Sequence, residues 1–202
     1  MKKLVTVLTA LLISCVLSVS HAQSKAGFGL KGGINVASQF TTGEGLNVNV
    51  ESILRFHGGA YVHYFIFDKL AVQPELIISG KGSKWDDPYT DTEDLLTYVD
   101  IPILIRFQPF KLLNIHAGPQ FAYLISAFQD DLSADEKLDI MDWYNKAEIG
   151  IAVGAEANLP FNINLSVRYI LGLSEASNEV QYIDPWKNSF IQLSIGYRFM
   201  GK

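Results

Sequence analysis

Val99-Asp100-Ile101-Pro102-Ile103-Leu104-Ile105-Arg106-Phe107 decides the architecture of this 202-residue chain. Val99, Ile101, Ile103, Ile105 and Phe107 share one parity, and Asp100 and Arg106 stand on the other. Side chains of an extended strand point alternately to opposite faces, so one face here is wholly apolar and the other is charged. After Gln108 to Lys111 the alternation resumes: Leu113, Ile115, Ala117, Phe121, Tyr123 and Ile125 oppose Asn114, His116 and Gln120. Two such segments joined by a tight turn form an antiparallel pair.

The same period recurs on both sides of this pair. Upstream, Phe28, Leu30, Ile34 and Val36 oppose Lys31 and Asn35 in a first strand. Phe56, Ala60, Val62, Tyr64 and Ile66 oppose Arg55, His57, Tyr61 and His63 in a second, and Leu70, Val72, Leu76 and Ile78 oppose Gln73, Glu75 and Ser79 in a third. Downstream, a sixth sets Ile149, Ile151, Val153 and Ala155 against Glu148, Gly150, Gly154 and Glu156. The seventh sets Ile163, Leu165, Val167, Tyr169 and Leu171 against Asn164, Ser166 and Arg168. The eighth sets Ile191, Leu193, Ile195, Tyr197 and Phe199 against Gln192, Ser194 and Arg198.

Connection length separates a membrane barrel from a soluble sandwich. Links after strands 2, 4 and 6 are tight (68–69, 108–111 and 158–162), whereas those after strands 1, 3, 5 and 7 are long and polar, over 37–53, 80–96, 129–146 and 173–188. Short turns at one end and long loops at the other characterise bacterial outer-membrane barrels, with both termini on the periplasmic side. Aromatic residues fall at two levels: Phe67, Phe107, Phe110, Phe161 and Phe199 near the short-turn end, and Phe56, Tyr123, Phe128 and Tyr169 in the opposite halves. The expectation is an all-β, eight-stranded antiparallel up-and-down transmembrane β-barrel. Pro74, Pro102 and Pro119 interrupt three consecutive strands; a closed barrel has no edge to receive them, so local bulges are expected there.

The N-terminus supplies a route to that compartment. Lys2 and Lys3 precede an apolar run from Leu4 to Val19, and Ser20-His21-Ala22 offers small residues for cleavage before Gln23. Residues 1–22 therefore read as a signal peptide and 23–202 as the barrel domain. Leu12-Ile13-Ser14-Cys15 loosely fits a lipoprotein box, but the apolar run continues past Cys15. Removal of the leader takes the single cysteine with it, and leaves 14 basic residues (16 less Lys2 and Lys3) against 21 acidic, about −7. That balance disfavours nucleic acid as a partner.

Tyr98-Val99-Asp100-Ile101-Pro102-Ile103-Leu104, Gln73-Pro74-Glu75-Leu76, Gly118-Pro119-Gln120, Arg168-Tyr169 with Gly172-Leu173, and Ile195-Gly196-Tyr197-Arg198-Phe199 together carry a resemblance. Across essentially the whole mature chain the sequence resembles the PorT-like outer membrane protein beta-barrel family of Bacteroidetes-type bacteria. The resemblance implies an integral outer-membrane location, and a few relatives assist protein secretion to the cell surface. One departure is the tail Met200-Gly201-Lys202 beyond Phe199, where the assembly machinery usually reads a terminal aromatic.

The inward parity carries the candidate chemistry. Lys31, Arg55, Arg106, Arg168 and Arg198 stand against Glu75, Asp100, Glu148 and Glu156. Eight strands enclose an interior just wide enough for side chains, so these nine read as a salt-bridged plug rather than an aqueous channel. His57 and His63 lie six residues apart on one strand, roughly 20 Å by strand rise and too far to share a metal. No metal or cofactor is expected. Barrel-type lipid hydrolases need a histidine beside a serine nucleophile, and no compact motif of that kind stands in the sequence.

The long loops hold acidic clusters: Asp86, Asp87, Asp91, Glu93 and Asp94, then Asp130, Asp131, Asp135, Glu136, Asp139 and Asp142. Carboxylates ligate calcium, but no EF-hand spacing accompanies them and solvated surface is the simpler reading. Ser133 to Glu136 reads as a capping box opening a short helix with Leu138, Met141 and Trp143, a lid over the mouth. Trp85, Tyr89, Trp143 and Trp186 are the aromatic candidates for contact with a partner. The functional expectation is a monomeric, non-enzymatic outer-membrane protein that acts through these loops as a binding or structural element, or as an accessory of secretion or envelope assembly. Its expected partners are outer-membrane lipid, the assembly machinery and a secretion or surface protein; the alternatives are a lipid-modifying enzyme and a small-ligand barrel.

Overall fold

A computed structural model describes residues 25–41, 49–87, 90–131, 136–177 and 186–200. The signal peptide, Cys15, Tyr89 and Ser133 lie outside the described residues. Ten strands form one sheet: β1 (Ala26–Thr41), β2 (Asn49–Glu51), β3 (Ile53–Phe67), β4 (Leu70–Asp87), β5 (Thr90–Phe107), β6 (Leu113–Asp131), β7 (Glu136–Asp139), β8 (Ala147–Asn158), β9 (Ile163–Gly172) and β10 (Trp186–Met200). The short β2 and β7 are appended to β4 and β6. The other eight close on themselves, since β1 pairs with both β3 and β10 and β4 pairs with both β3 and β5. Every pairing is antiparallel, as the alternation requires.

Parity divides the surface as the sequence implies. The outward set, including Leu30, Phe56, Ile78, Ile103, Ile115, Val153, Val167 and Ile195, is exposed, whereas Lys31, Glu75, Asp100, Arg106 and Arg168 are buried inside. A water-soluble protein does this the other way round. An apolar exterior with its ladder closed is what lipid demands, because hydrocarbon offers no partner to a bare N–H or C=O.

Three expectations change. The strands run past the length of a bilayer crossing: 80–96 is a hairpin of β4 and β5 paired out to Asp87 and Thr90, not a loop. Outside the bilayer, continuing the ladder keeps each backbone group bonded and lets the inward parity persist as far as Ser83. Next, 136–139 is a strand paired with β6, followed by one 3-10 turn at Met141–Trp143. The capping-box helix does not form, because Glu136 opposes Asp131 in a ladder. Within the overhang Gly82 has a reason to be glycine: its φ is 132°, and a Cβ there would collide with the Asp94 carbonyl.

The third change concerns the prolines. No bulge occurs at any of them; register shifts fall instead at Phe28/Gly29, Phe65/Phe67 and Thr97/Tyr98. Pairing simply lapses and resumes in the same register. It is missing between Val62–His63 and Gln73–Pro74, between Glu75–Leu76 and Ile101–Pro102, and between Ile103–Leu104 and Gly118–Pro119. Each proline keeps its partner on the following strand, namely Ile103, Gln120 and Ile151. The reason is local: N–H and C=O of one residue face the same neighbour, so a proline forfeits bonding on one side only. Three adjacent seams are thus weakened at nearly one level. Val62, Glu75 and Ile103 are the residues that face Pro74, Pro102 and Pro119 across the lapsed seams. Hydrogen exchange of the barrel in detergent should show their amides exchanging about five- to tenfold faster than Gly32–Asn35 of β1, the worth of roughly one hydrogen bond. Equal protection would contradict the lapses.

Candidate functional site: a tiered polar lumen under a cap

The interior is organised in tiers, each built by several strands. At the centre Glu75 on β4 receives two cations. Lys31 Nζ from β1 lies 3.0 Å from both carboxylate oxygens, and Arg168 from β9 binds in fork geometry, Nη1 to Oε2 and Nη2 to Oε1, both 2.9 Å. Gln73 donates a further bond to Glu75 at 2.8 Å. Arg168 Nε also donates to His116 Nε2 at 3.2 Å. Such bidentate pairs are the stronger class of charge-assisted bonds.

Toward the short-turn end, Arg106 meets Glu156 at 3.0 Å and donates to Gln73 and Asn158. Asn114 donates to the same Glu156, and Asn164 to the Tyr61 hydroxyl. Tyr61 in turn lies against Gly29 of β1, where a Cβ would collide with the end of its ring and with the Tyr197 carbonyl. That glycine has a steric reason to be glycine.

Toward the long-loop end a third tier is anionic in excess. Lys81 Nζ sits 3.0 Å from Asp100 and 3.8 Å from Glu148, with its ammonium 4.0 Å from the centre of the Tyr98 ring. Tyr98 donates to Glu148, which also accepts from Asn188 at 2.8 Å. Above it, Ser83 donates to Gln39 at 2.7 Å and Tyr144 to Asp94 at 2.6 Å. Burial, then the Asp94 carboxylate beside it, pushes the Tyr144 hydroxyl well above its ordinary range, so it remains a donor.

Above this tier the described residues of the long-loop end pack inward. Ile140 and Tyr144, flanking the 3-10 turn, pack with Leu96, Tyr98, Leu124, Ala127 and Ala176 in a buried apolar cluster. Ile140 N–H donates to the Ala127 carbonyl and Asn145 N–H to that of Ala176. The segment expected to carry a lid helix instead presents Leu138 and Trp143 outward, and it is Ile140 and Tyr144 that are buried at this end of the barrel. An interior void lined by Lys81, Gln120, Glu148 and Asn188 measures about 10 Å³, room for one water at most.

Of the nine expected charges, Lys31, Glu75 and Arg168 form one cluster, Arg106 and Glu156 a second, and Asp100 and Glu148 belong to the third. Arg55 lies against Gly80, and Arg198 lines the short-turn mouth; among the described residues neither joins a cluster. Lys81 was hidden by its neighbours, because Gly80 and Gly82 make the segment look like a loop. Its parity with Gln73, Glu75 and Ser79 was the available signal. Among the aromatic candidates, Trp143 is exposed and Trp186 partly buried, while Trp85 stands in β4 opposite Thr92 and Val50.

The histidines are separately engaged. His57 Nε2 lies 2.8 Å from Ser194 Oγ, a histidine–serine contact across β3 and β10 that no sequence motif revealed. Both side chains face the lumen, and no acceptor holds His57 Nδ1. His116 approaches Asn114 and Arg168, and His63 stacks near Tyr61 and Phe65.

A model of the outer membrane protein beta-barrel domain matches residues 21–178. The chain belongs to this family. Its members are outer-membrane proteins, and the apolar exterior and closed ladder described above are the physical counterpart of that location. Among solved structures the chain is similar to Ail, the attachment invasion locus protein of Yersinia pestis, with TM-score 0.51 and 13% identity over 88% of this chain and 100% of that one. It is also similar to Neisserial surface protein A, with TM-score 0.54 and 14% identity over 86% and 99% of the two chains. At such identities the likeness is one of fold. No curated protein matches the chain.

The central cluster carries a stability consequence. Glu75 is the one carboxylate between Lys31 and Arg168, so Glu75→Gln strands two buried cations. Its removal should lower unfolding free energy by about 3–5 kcal/mol, read as a fall in the urea midpoint of the refolded barrel. Glu156→Gln should cost less, since Arg106 keeps Gln73 and Asn158.

Proposed function

We propose that this outer-membrane barrel is non-enzymatic and works through its extracellular end, as a binding or structural element or an accessory of a secretion or envelope assembly. The observation that carries this reading is the filled lumen: among the described residues, salt-bridged tiers and the Ile140–Tyr144 cluster occupy the interior. Chemistry is thereby displaced to the overhanging β4–β5 hairpin and the 136–146 cap, where Trp143 is exposed among carboxylates. The resemblance to the PorT-like branch, some of whose members serve secretion, points the same way. On this reading the protein is a monomer that uses no cofactor and does not meet nucleic acid.

A photo-crosslinking residue at Trp143 in living cells should yield a discrete protein adduct, whereas one at lipid-facing Ile151 should yield only lipid. In planar bilayers the purified barrel should give no steady conductance; an open channel would overturn the proposal.

A lipid-modifying enzyme is the second reading, supported by the His57–Ser194 contact. Against it, both groups face the lumen rather than the bilayer, and no carboxylate orients the imidazole, as a serine nucleophile requires. Ser194→Ala should leave the mass spectrum of membrane lipids unchanged; an altered acyl pattern would establish the enzyme instead.

Export through a cleaved signal peptide completes the proposal. Membrane-extracted protein should begin at Gln23, and a lipidated start at Cys15 would replace that assignment.

A further inference from the structure

The short-turn end holds a polar feature that the lumen tiers do not use. A cavity of about 760 Å³ opens there, with Lys25, Lys69, Lys111 and Arg198 on its walls and Asp68 as the single carboxylate. None of the four cations enters an ion pair among the described residues. Two buried polar atoms at the cavity also lack partners: the donor Arg198 Nε and the acceptor Gln108 Oε1. The orientation of the Gln108 amide follows from its Nε2, which donates to the Lys111 carbonyl at 3.3 Å, so the free atom is the oxygen. Phe67 and Phe110, each 68% exposed, stand at the rim beside Ile66.

Charge sorts the two ends of the barrel. Carboxylates such as Glu93, Asp94, Asp130, Asp139 and Asp142 gather at the long-loop end, and an excess of free cations at the other. With the short turns in the periplasm, these cations lie at the level of the inner-leaflet headgroups, next to aromatic and aliphatic side chains that suit acyl chains.

We propose that this cavity binds the headgroup of an anionic phospholipid of the periplasmic leaflet. The phosphate takes the Arg198 guanidinium and the surrounding lysines, a headgroup hydroxyl donates to Gln108 Oε1, and the chains run over Ile66, Phe67 and Phe110. A free anion would use the cations but gain nothing from the apolar rim.

Native mass spectrometry of the intact membrane-extracted protein, supplied with equal phosphatidylglycerol and phosphatidylcholine, tests this. The wild type should retain phosphatidylglycerol about fivefold or more over phosphatidylcholine, in line with the usual attraction of basic residues to anionic lipid. Lys111→Gln with Arg198→Gln should abolish the preference. Lys69→Gln with Lys111→Gln, confined to exposed turns, should reduce it, and the heat-modifiable gel shift verifies folding of each variant. Millimolar inorganic phosphate should not displace the lipid. Equal retention of both lipids, an unchanged preference in both variants, displacement by phosphate, or a protein adduct from a crosslinker at Phe110 would each overturn the proposal.

Discussion

The pairing of β1 with β10 is the constraint on which everything else in this molecule depends. From Phe28 opposite Met200 to Thr41 opposite Trp186, it joins the two ends of the sheet and removes both edges. In hydrocarbon an open edge would leave a row of backbone donors and acceptors with nothing to bind. Closure also decides which way the parities point: the apolar face meets lipid and the polar face is confined to a space with room for little water. The inverted distribution of Leu, Ile and Lys, Glu is therefore a consequence of one seam.

Confinement then dictates neutralisation. A charge shut inside an eight-stranded barrel cannot reach bulk solvent, so each must find an opposite charge or a fixed dipole across the lumen. Glu75 does this with two cations and Glu156 with one, while Tyr98, Asn188 and Lys81 share the work at Glu148 and Asp100. Among the described residues these contacts fill the lumen, which moves the biological question to the two ends. Those ends differ in chemistry: one is a carboxylate-rich overhang with Ile140 and Tyr144 buried beneath it, the other a cation-lined hollow with aromatic walls. The His57–Ser194 contact belongs to the closed space between them.

The proline lapses show how a closed ladder tolerates what an ordinary interior strand does not. Because each strand has two neighbours and each residue bonds with one of them, Pro74, Pro102 and Pro119 give up pairing on one side and keep it on the other. The register on both sides of each lapse is held by the rest of the strand, and no residue need be extruded. Bulges were the reasonable expectation from proline chemistry alone; the barrel removes the need for them.

Strand number, parity, the outward apolar face and the end carrying short turns were all legible in the sequence, because each follows from a period of two and the lengths between periods. Val99 to Phe107 against Asp100 and Arg106 suffices to say what faces lipid and what faces inward. The partners inside were not legible. Glu75 meets Arg168 across 93 positions of chain, and Lys81 meets Asp100 only because β4 extends through glycines that look like a loop. The cap likewise turns on Ile140 and Tyr144 rather than Leu138 and Trp143. Alternation reports the face a side chain takes, a local property of an extended backbone. Which residues meet across the lumen depends on the register and closure of all eight strands, and only the tertiary structure decides that.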